Sequence, residues 1–247
     1  MEVHAHTHTP RKKWIHYFWE FLMLFLAVFC GFLAEYQLEH KIEKTREKQF
    51  IESLVNDVEA DIQHLNNIIN NRSSRQIRLD SLTLFLNSPE YGKLGNSIYA
   101  NAVSVTRRVD IRFIPNDGTM QQLKNAGGLR LIRNRTVADS ITKYDVGIRT
   151  LEKLGETEEI ILQDYRTTAA KIFDPVVLDK MFAGDNITTR PSDNPVLFSS
   201  DKNLLNELGF KLHTTKVLNR ANKLNAKKLL QQSETLLNTL KKEYHLE

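Results

Sequence analysis

Asp57, Asp61 and His64 are the residues whose types and spacing come closest to a reactive group. Steps of four and three place them on one helix face, and carboxylates beside an imidazole can hold a metal ion or move a proton. A di-iron bundle needs more, several inward carboxylates and two Glu-x-x-His pairs. Here one Asp-x-x-His lies beside the Val58, Ile62, Leu65 stripe, so the expected role is a solvated face flanking the core. His4, His6 and His8 alternate with small residues. Neutral imidazoles can bind zinc or copper, but on a short tail these three predict no defined centre. No G-x-S-x-G, P-loop or H-E-x-x-H motif is present. No catalytic residue, cofactor or metal site is expected.

The elements that would position any site begin with an apolar block, Trp14 to Ala34. At a rise of ~1.5 Å per residue it is about 31 Å long, enough to cross a hydrocarbon core of roughly 30 Å. Arg11, Lys12 and Lys13 precede the block, whereas Glu35 and Glu39 follow it. Basic residues beside a membrane span stay in the cytoplasm, so the tail is expected inside and the bulk of the chain outside. Trp14, Tyr17 and Trp19 fit an aromatic belt at the inner interface. A cleaved signal peptide requires small residues in an A-x-A-like pattern; Ala34 suits one position, but Phe32 occupies the other. A lipoprotein reading of Cys30 puts Phe29 where a small residue is needed. The block is therefore expected to be an uncleaved signal anchor, in contact with membrane lipid.

Glu20 lies inside this block, where an ionisable group is costly. Its carboxylate either reaches toward the headgroups or pairs with a neighbouring membrane helix. Ala27 and Gly31 have the small-xxx-small spacing that lets two helices approach closely. Glu20, Ala27 and Gly31 are therefore the candidate membrane-helix contacts.

The chain has 247 residues, 41% hydrophobic and 26% charged, which suits one folded domain behind the anchor. Its sole cysteine is Cys30, so the outer domain holds no disulfide and depends on packing. Ten glycines and six prolines are few for this length and argue against an all-β sandwich. Arginines recur in Arg72-Arg75-Arg78, Arg107-Arg108-Arg112 and Arg130-Arg133-Arg135, a pattern that can mark nucleic-acid binding. Acidic residues are interspersed throughout, however, and net charge is only +4. A solvated face, or one toward anionic headgroups, is expected instead, with no nucleic-acid partner. Asn71, Asn134 and Asn186 open glycosylation sequons short enough to arise by chance.

Between Trp14 and Asn70 there is no proline, and Gly31 is the only glycine. Leu54, Val58, Ile62, Leu65 and Ile69 continue at helical spacing, which predicts one helix of about 55 residues, anchor plus stalk. Ser73 and Ser74 are expected to cap a second helix ending before Pro89. A turn at Glu90–Gly95 and a short helix from Ser97 to Arg108 follow. Asp110 to Ile114 alternates polar and apolar residues, predicting a short extended segment, and Pro115-Asn116-Asp117-Gly118 a turn. Asp117 or Thr119 is expected to begin the next helix, with Thr119-x-x-Gln122 matching a capping box, and Gly127-Gly128 to end it. Val137 to Ile172 forms a long stripe with Gly147 and Gly155 as points of weakness or bending. Val176 to Phe182 is a short helix, Gly184 to Ser200 the expected exposed loop, and Asp201 the cap of a final helix. That helix carries an apolar seam with breaks in phase.

These elements predict an all-α fold: cytoplasmic tail 1–13, transmembrane anchor 14–34, stalk helix 35–72 and an antiparallel helical bundle 73–247 outside the membrane. The run HYFWEFLMLFLAVFCGFLAEYQLEH, the central FIPNDGTMQQLKNAGGLRLIRN and the terminal KKEYHLE resemble uncharacterised single-pass membrane proteins of Bacteroidetes-type bacteria. That resemblance implies an inner-membrane protein with a periplasmic helical domain and carries over no catalytic or ligand-binding residue. The expected function is an interaction or scaffolding module that binds a protein partner or a second copy of itself. The alternative is a periplasmic ligand sensor that signals to a partner through the membrane helix.

Overall fold

The computed structural model describes residues 14–106, 111–125, 127–182 and 188–246. His4, His6, His8, Arg11, Lys12, Lys13, Arg107, Arg108, Asp110, Gly184 and Asn186 lie outside the described residues. Six α-helices occur among those described: α1 (Trp14–Leu86), α2 (Gly95–Thr106), α3 (Gly118–Asn125), α4 (Arg135–Ala169), α5 (Pro175–Lys180) and α6 (Lys202–Tyr244). Single 3₁₀ turns sit at Tyr91–Lys93 and Gly128–Arg130. No strand forms among the described residues, so the fold is all-α.

The first helix is longer than its sequence predicts. It does not end at Ser73, because the Ser73 hydroxyl donates back to the Ile69 carbonyl (2.7 Å) instead of capping a new helix. With no proline between Trp14 and Leu86 and Gly31 the only glycine there, nothing breaks the ladder until Leu86. The chain divides into two compact units, one ending at Gln49 and one spanning Phe50–Glu247.

In the first unit α1 is apolar on nearly every side across the Trp14–Ala34 block, and its large side chains there are exposed. Among the described residues it is the one helix long and apolar enough to span a membrane.

The second unit is a bundle of α1 (from Phe50), α4 and α6. Its register can be read from side-chain contacts. Asp61 meets Tyr144, Arg72 meets Glu158, Lys216 meets Asp80 (2.9 Å) and Lys241 meets Glu59 (3.0 Å). Hence α6 is antiparallel to both other helices, whereas α1 and α4 run parallel. Parallel neighbours need a crossover, which α2, the 111–117 segment and α3 supply.

Two apolar clusters fill the bundle. One gathers Ile51, Leu54, Val58, Leu65 and Ile68 of α1 with Val137, Ile141 and Ile148 of α4 and Leu229, Leu236 and Leu240 of α6. The other joins Leu79 and Leu82 to Ile98 and Tyr99 of α2, Leu162 and Tyr165 of α4, and Leu208 and Leu212 of α6. Each fully buried leucine contributes about 1.5–3 kcal/mol relative to an exposed one.

Caps and glycines set the boundaries. Asn134, Asp174 and Asp201 accept from the first backbone N–H groups of α4, α5 and α6. Gly127 adopts φ 66°, the left-handed conformation expected just past a helix end. At α3 the expected capping box is not used. The Thr119 N–H donates instead to Asp57 Oδ2 of α1 (3.2 Å), so a neighbouring helix caps this one. Gly147 marks a close approach rather than a bend. A Cβ there would lie 2.8 Å from Leu229 Cδ1 and against Gln232 Oε1, so its absence lets α6 pack tightly on α4.

The 188–200 stretch lacks regular helix but is strapped to the bundle. The Asn96 N–H donates to Asn194 Oδ1 (3.0 Å), the Tyr99 hydroxyl to the Val196 carbonyl (3.2 Å), and the Phe198 N–H to the Ile172 carbonyl (2.9 Å). From residue 188 onward the expected loop is thus tied to the bundle, although the Val196 and Phe198 side chains stay exposed.

Candidate functional site

Helical geometry sorts the apolar block into two faces. At about 100° per residue, Phe18, Phe21, Phe25, Phe29 and Phe32 fall on one side and His16, Glu20, Met23, Ala27, Gly31 and Ala34 on the other. Phe21, Phe25 and Phe29 stack in succession, with ring centroids 6.3 and 5.9 Å apart. Opposite them, His16 Nε2 lies 3.4 Å from Glu20 Oε1. Ala27 and Gly31 are exposed below this pair, and a Cβ on Gly31 would meet nothing within 4 Å. The candidates Glu20, Ala27 and Gly31 therefore share a face, which His16 and Ala34 extend. The i, i+4 spacing of His16 and Glu20 was the signal that sequence reasoning passed over.

Asp57, Asp61 and His64 form neither a metal site nor a solvated face. Asp61 is fully buried. Its Oδ1 accepts from the Asn116 backbone and side-chain N–H groups (both 2.9 Å), and its Oδ2 accepts from the Tyr144 hydroxyl. Burial, reinforced by the Asp61 charge, pushes the Tyr144 hydroxyl far above its ordinary range. The His64 ring packs against Phe113 with centroids 5.5 Å apart. All three residues thus pin the Phe113–Thr119 turn to α1. With three donors on its two oxygens, Asp61 is placed to hold a turn rather than to take a proton from a substrate. Among the described residues, no group of three or more His, Cys, Asp or Glu is placed to hold a metal.

A second buried polar group separates the two apolar clusters. Glu158 Oε2 accepts from Arg72 Nη2 (2.9 Å) and Asn222 Nδ2 (3.2 Å), while Oε1 accepts from Arg75 Nη1 (2.5 Å). Arg72 also donates to the Ile111 carbonyl (2.9 Å) and Arg75 to the Val105 carbonyl (2.7 Å). Asn219 Nδ2 bonds the Arg72 carbonyl (3.0 Å). All five side chains are buried, so the expected solvated arginine face is wrong for Arg72 and Arg75. Burial raises the Glu158 carboxyl, but hydrogen bonds and charge from the two arginines outweigh it and hold the group below its ordinary 4.5.

Beside this layer opens a cleft of about 520 Å³. Its floor includes Arg72, Glu158 and Asn222. One wall is the Ile111–Pro115 segment and the other is α4 from Leu151 to Glu159. Gly155 faces open space, since a Cβ there would touch nothing within 4 Å. This volume falls within the ~300–1,000 Å³ range of ligand clefts. A smaller apolar hollow of about 270 Å³ lies between α2, α4 and α5, lined by Ala102, Ala169 and Phe173 among others.

No family model, curated protein or solved structure matches the chain.

Proposed function

We propose that the chain is a single-pass protein of the bacterial inner membrane whose helical bundle acts in the periplasm as an interaction or scaffolding module. The observation carrying this reading is the two-faced apolar helix. Aromatic rings on one side suit acyl chains. The His16–Glu20 pair and the small residues opposite suit a second membrane helix, because close approach and interhelical hydrogen bonds drive association where the hydrophobic effect is absent. The clustering of Arg11 to Lys13 before the helix, with Glu35 and Glu39 after it, supports a cytoplasmic N-terminus. Membership in the Bacteroidetes-type family of anchored helical proteins belongs to the same proposal.

The test is purification in mild detergent with a photo-crosslinking residue placed at position 27 or 31, and at 25 or 29 as controls, followed by mass spectrometry. Protein crosslinks from positions 27 and 31, to a partner or a second copy, and lipid adducts from 25 and 29 are expected. A strictly monomeric protein with no crosslinked partner overturns the reading.

A second reading, a periplasmic sensor, draws support from the 520 Å³ cleft. The 111–115 segment and α4 line that cleft.

A further inference from the structure

The wall of the cleft formed by Ile111–Pro115 lies outside any helix, and its side chains alternate between the core and the surface as those of a strand would. Ile111 and Phe113 point inward and are buried, whereas Arg112 is exposed and Ile114 is 64% exposed. The segment is held rigidly: its Ile111 carbonyl is bonded by Arg72, its Phe113 ring lies on His64, and its Asn116 is tied to Asp61. Yet among the described residues the backbone groups of Arg112, Phe113 and Ile114 make no hydrogen bond. Backbone N–H and C=O groups are obligatory hydrogen-bonding groups, and an extended row of them is a template for another strand.

The cleft beside this row has apolar walls from Ile68, Leu151 and Ala226, and space above Gly155. Its lining sets four carboxylates, Glu152, Glu156, Glu158 and Glu159, against two guanidiniums, Arg72 and Arg112. Arg72 is spent on Glu158, so the negative excess lies on the α4 rim. Glu156 and Glu159 keep partners in Lys153 and Arg166, and such exposed pairs exchange readily with a competing cation.

We propose that the cleft docks an extended, basic segment of a partner protein, which adds as a strand along Arg112–Ile114. Alternate apolar side chains of that segment enter the cleft, and its lysine or arginine side chains meet Glu152 and Glu156. Strand addition of this kind takes affinity from main-chain hydrogen bonds and selectivity from alternate side chains. The inference rests on the interaction-module reading and names what the bundle would hold.

Fluorescence anisotropy of the full chain in detergent, with a labelled, capped Val-Lys-Val-Arg-Val peptide, tests it. Saturable binding is expected, with affinity about tenfold or more lower for Val-Glu-Val-Glu-Val and for the basic peptide N-methylated at alternate residues. Glu152→Lys combined with Glu156→Lys changes exposed side chains only and should weaken the basic peptide by about tenfold. Absence of saturable binding, equal binding of the N-methylated peptide, or indifference to the double substitution overturns the proposal. If the membrane helix still crosslinks to a partner in that case, strand docking fails while the interaction module stands. If neither is seen, both fail.

Discussion

The two stretches of α1 share one backbone ladder and differ in everything else. From Trp14 to Ala34 the helix is apolar almost all round, with Phe21 64% and Phe32 65% exposed. From Phe50 to Leu86 it carries a stripe, with Ile51 and Leu65 fully buried and charged residues on the other side. A striped helix finds its apolar solvent in neighbouring helices, whereas one apolar on every side requires a medium that surrounds it. The same comparison applies to polar groups. Glu20 lies on an exposed face with His16 as a local partner, whereas Glu158 is enclosed by residues from α1, α4 and α6.

Given that contrast, substitutions in the bundle should cost stability and those in the apolar stretch should not. The largest effect is expected for Glu158→Leu, which strands two buried guanidiniums and should cost about 3–5 kcal/mol in chemical denaturation followed by circular dichroism. The Glu158 contribution also depends on pH. Because its folded-state pKa is depressed, its stabilisation is present above its ordinary 4.5 and is lost as pH falls through the folded value. The stability gap between wild type and Glu158→Gln should therefore narrow as pH falls below the ordinary 4.5 and through the lower folded-state value. A constant gap would mean that the carboxylate charge contributes nothing.

Asp61→Ala comes next. It leaves the Asn116 N–H and the buried Tyr144 hydroxyl without their acceptor, a loss of about 1–3 kcal/mol. Limited proteolysis should then cut within residues 111–117, and an uncut segment would show that Asp61 does not hold it. Asp201→Ala removes the acceptor for the Asn203 and Leu204 N–H groups and should cost about 1 kcal/mol in thermal melting. Smallest is Glu20→Gln with Gly31→Leu. The bundle transition should move by less than about 0.5 kcal/mol, while crosslinking through position 27 falls. A bundle destabilised by this pair would erase the distinction between the two stretches.

The polar layer was partly legible in the chain. Leu65, Ile68, Arg72, Arg75, Leu79 and Leu82 keep one step-of-three-and-four stripe, so both arginines stand in core positions. On α4, Glu158 keeps phase with Leu151, Leu162 and Tyr165. On α6, Asn219 and Asn222 fill the register between Leu212 and Ala226, which accounts for the breaks in the apolar seam. Three polar interruptions at matching heights are a signal of a buried network. What could not be read was the match in height, because it depends on how α4 and α6 are threaded past α1. Likewise Asp61 looked solvated because the donors that satisfy its carboxylate, Asn116 and Tyr144, are far away along the chain.

Local chemistry determined the all-α composition, the apolar span, the caps at Asp174 and Asp201, and the helix end at Gly127. Each depends on residues within a turn or two, where hydrogen-bond geometry and side-chain period act without reference to the rest of the fold. Only the tertiary structure decided that α1 continues to Leu86, that α1 and α4 run parallel, and that Arg72, Arg75, Glu158 and Asp61 are buried. It also decided that Ile111 and Asn116 are tied to α1 while the backbone groups of Arg112–Ile114 between them make no hydrogen bond among the described residues. Burial of a charge is settled by the partners that arrive to satisfy it, and those come from elements scores of residues apart.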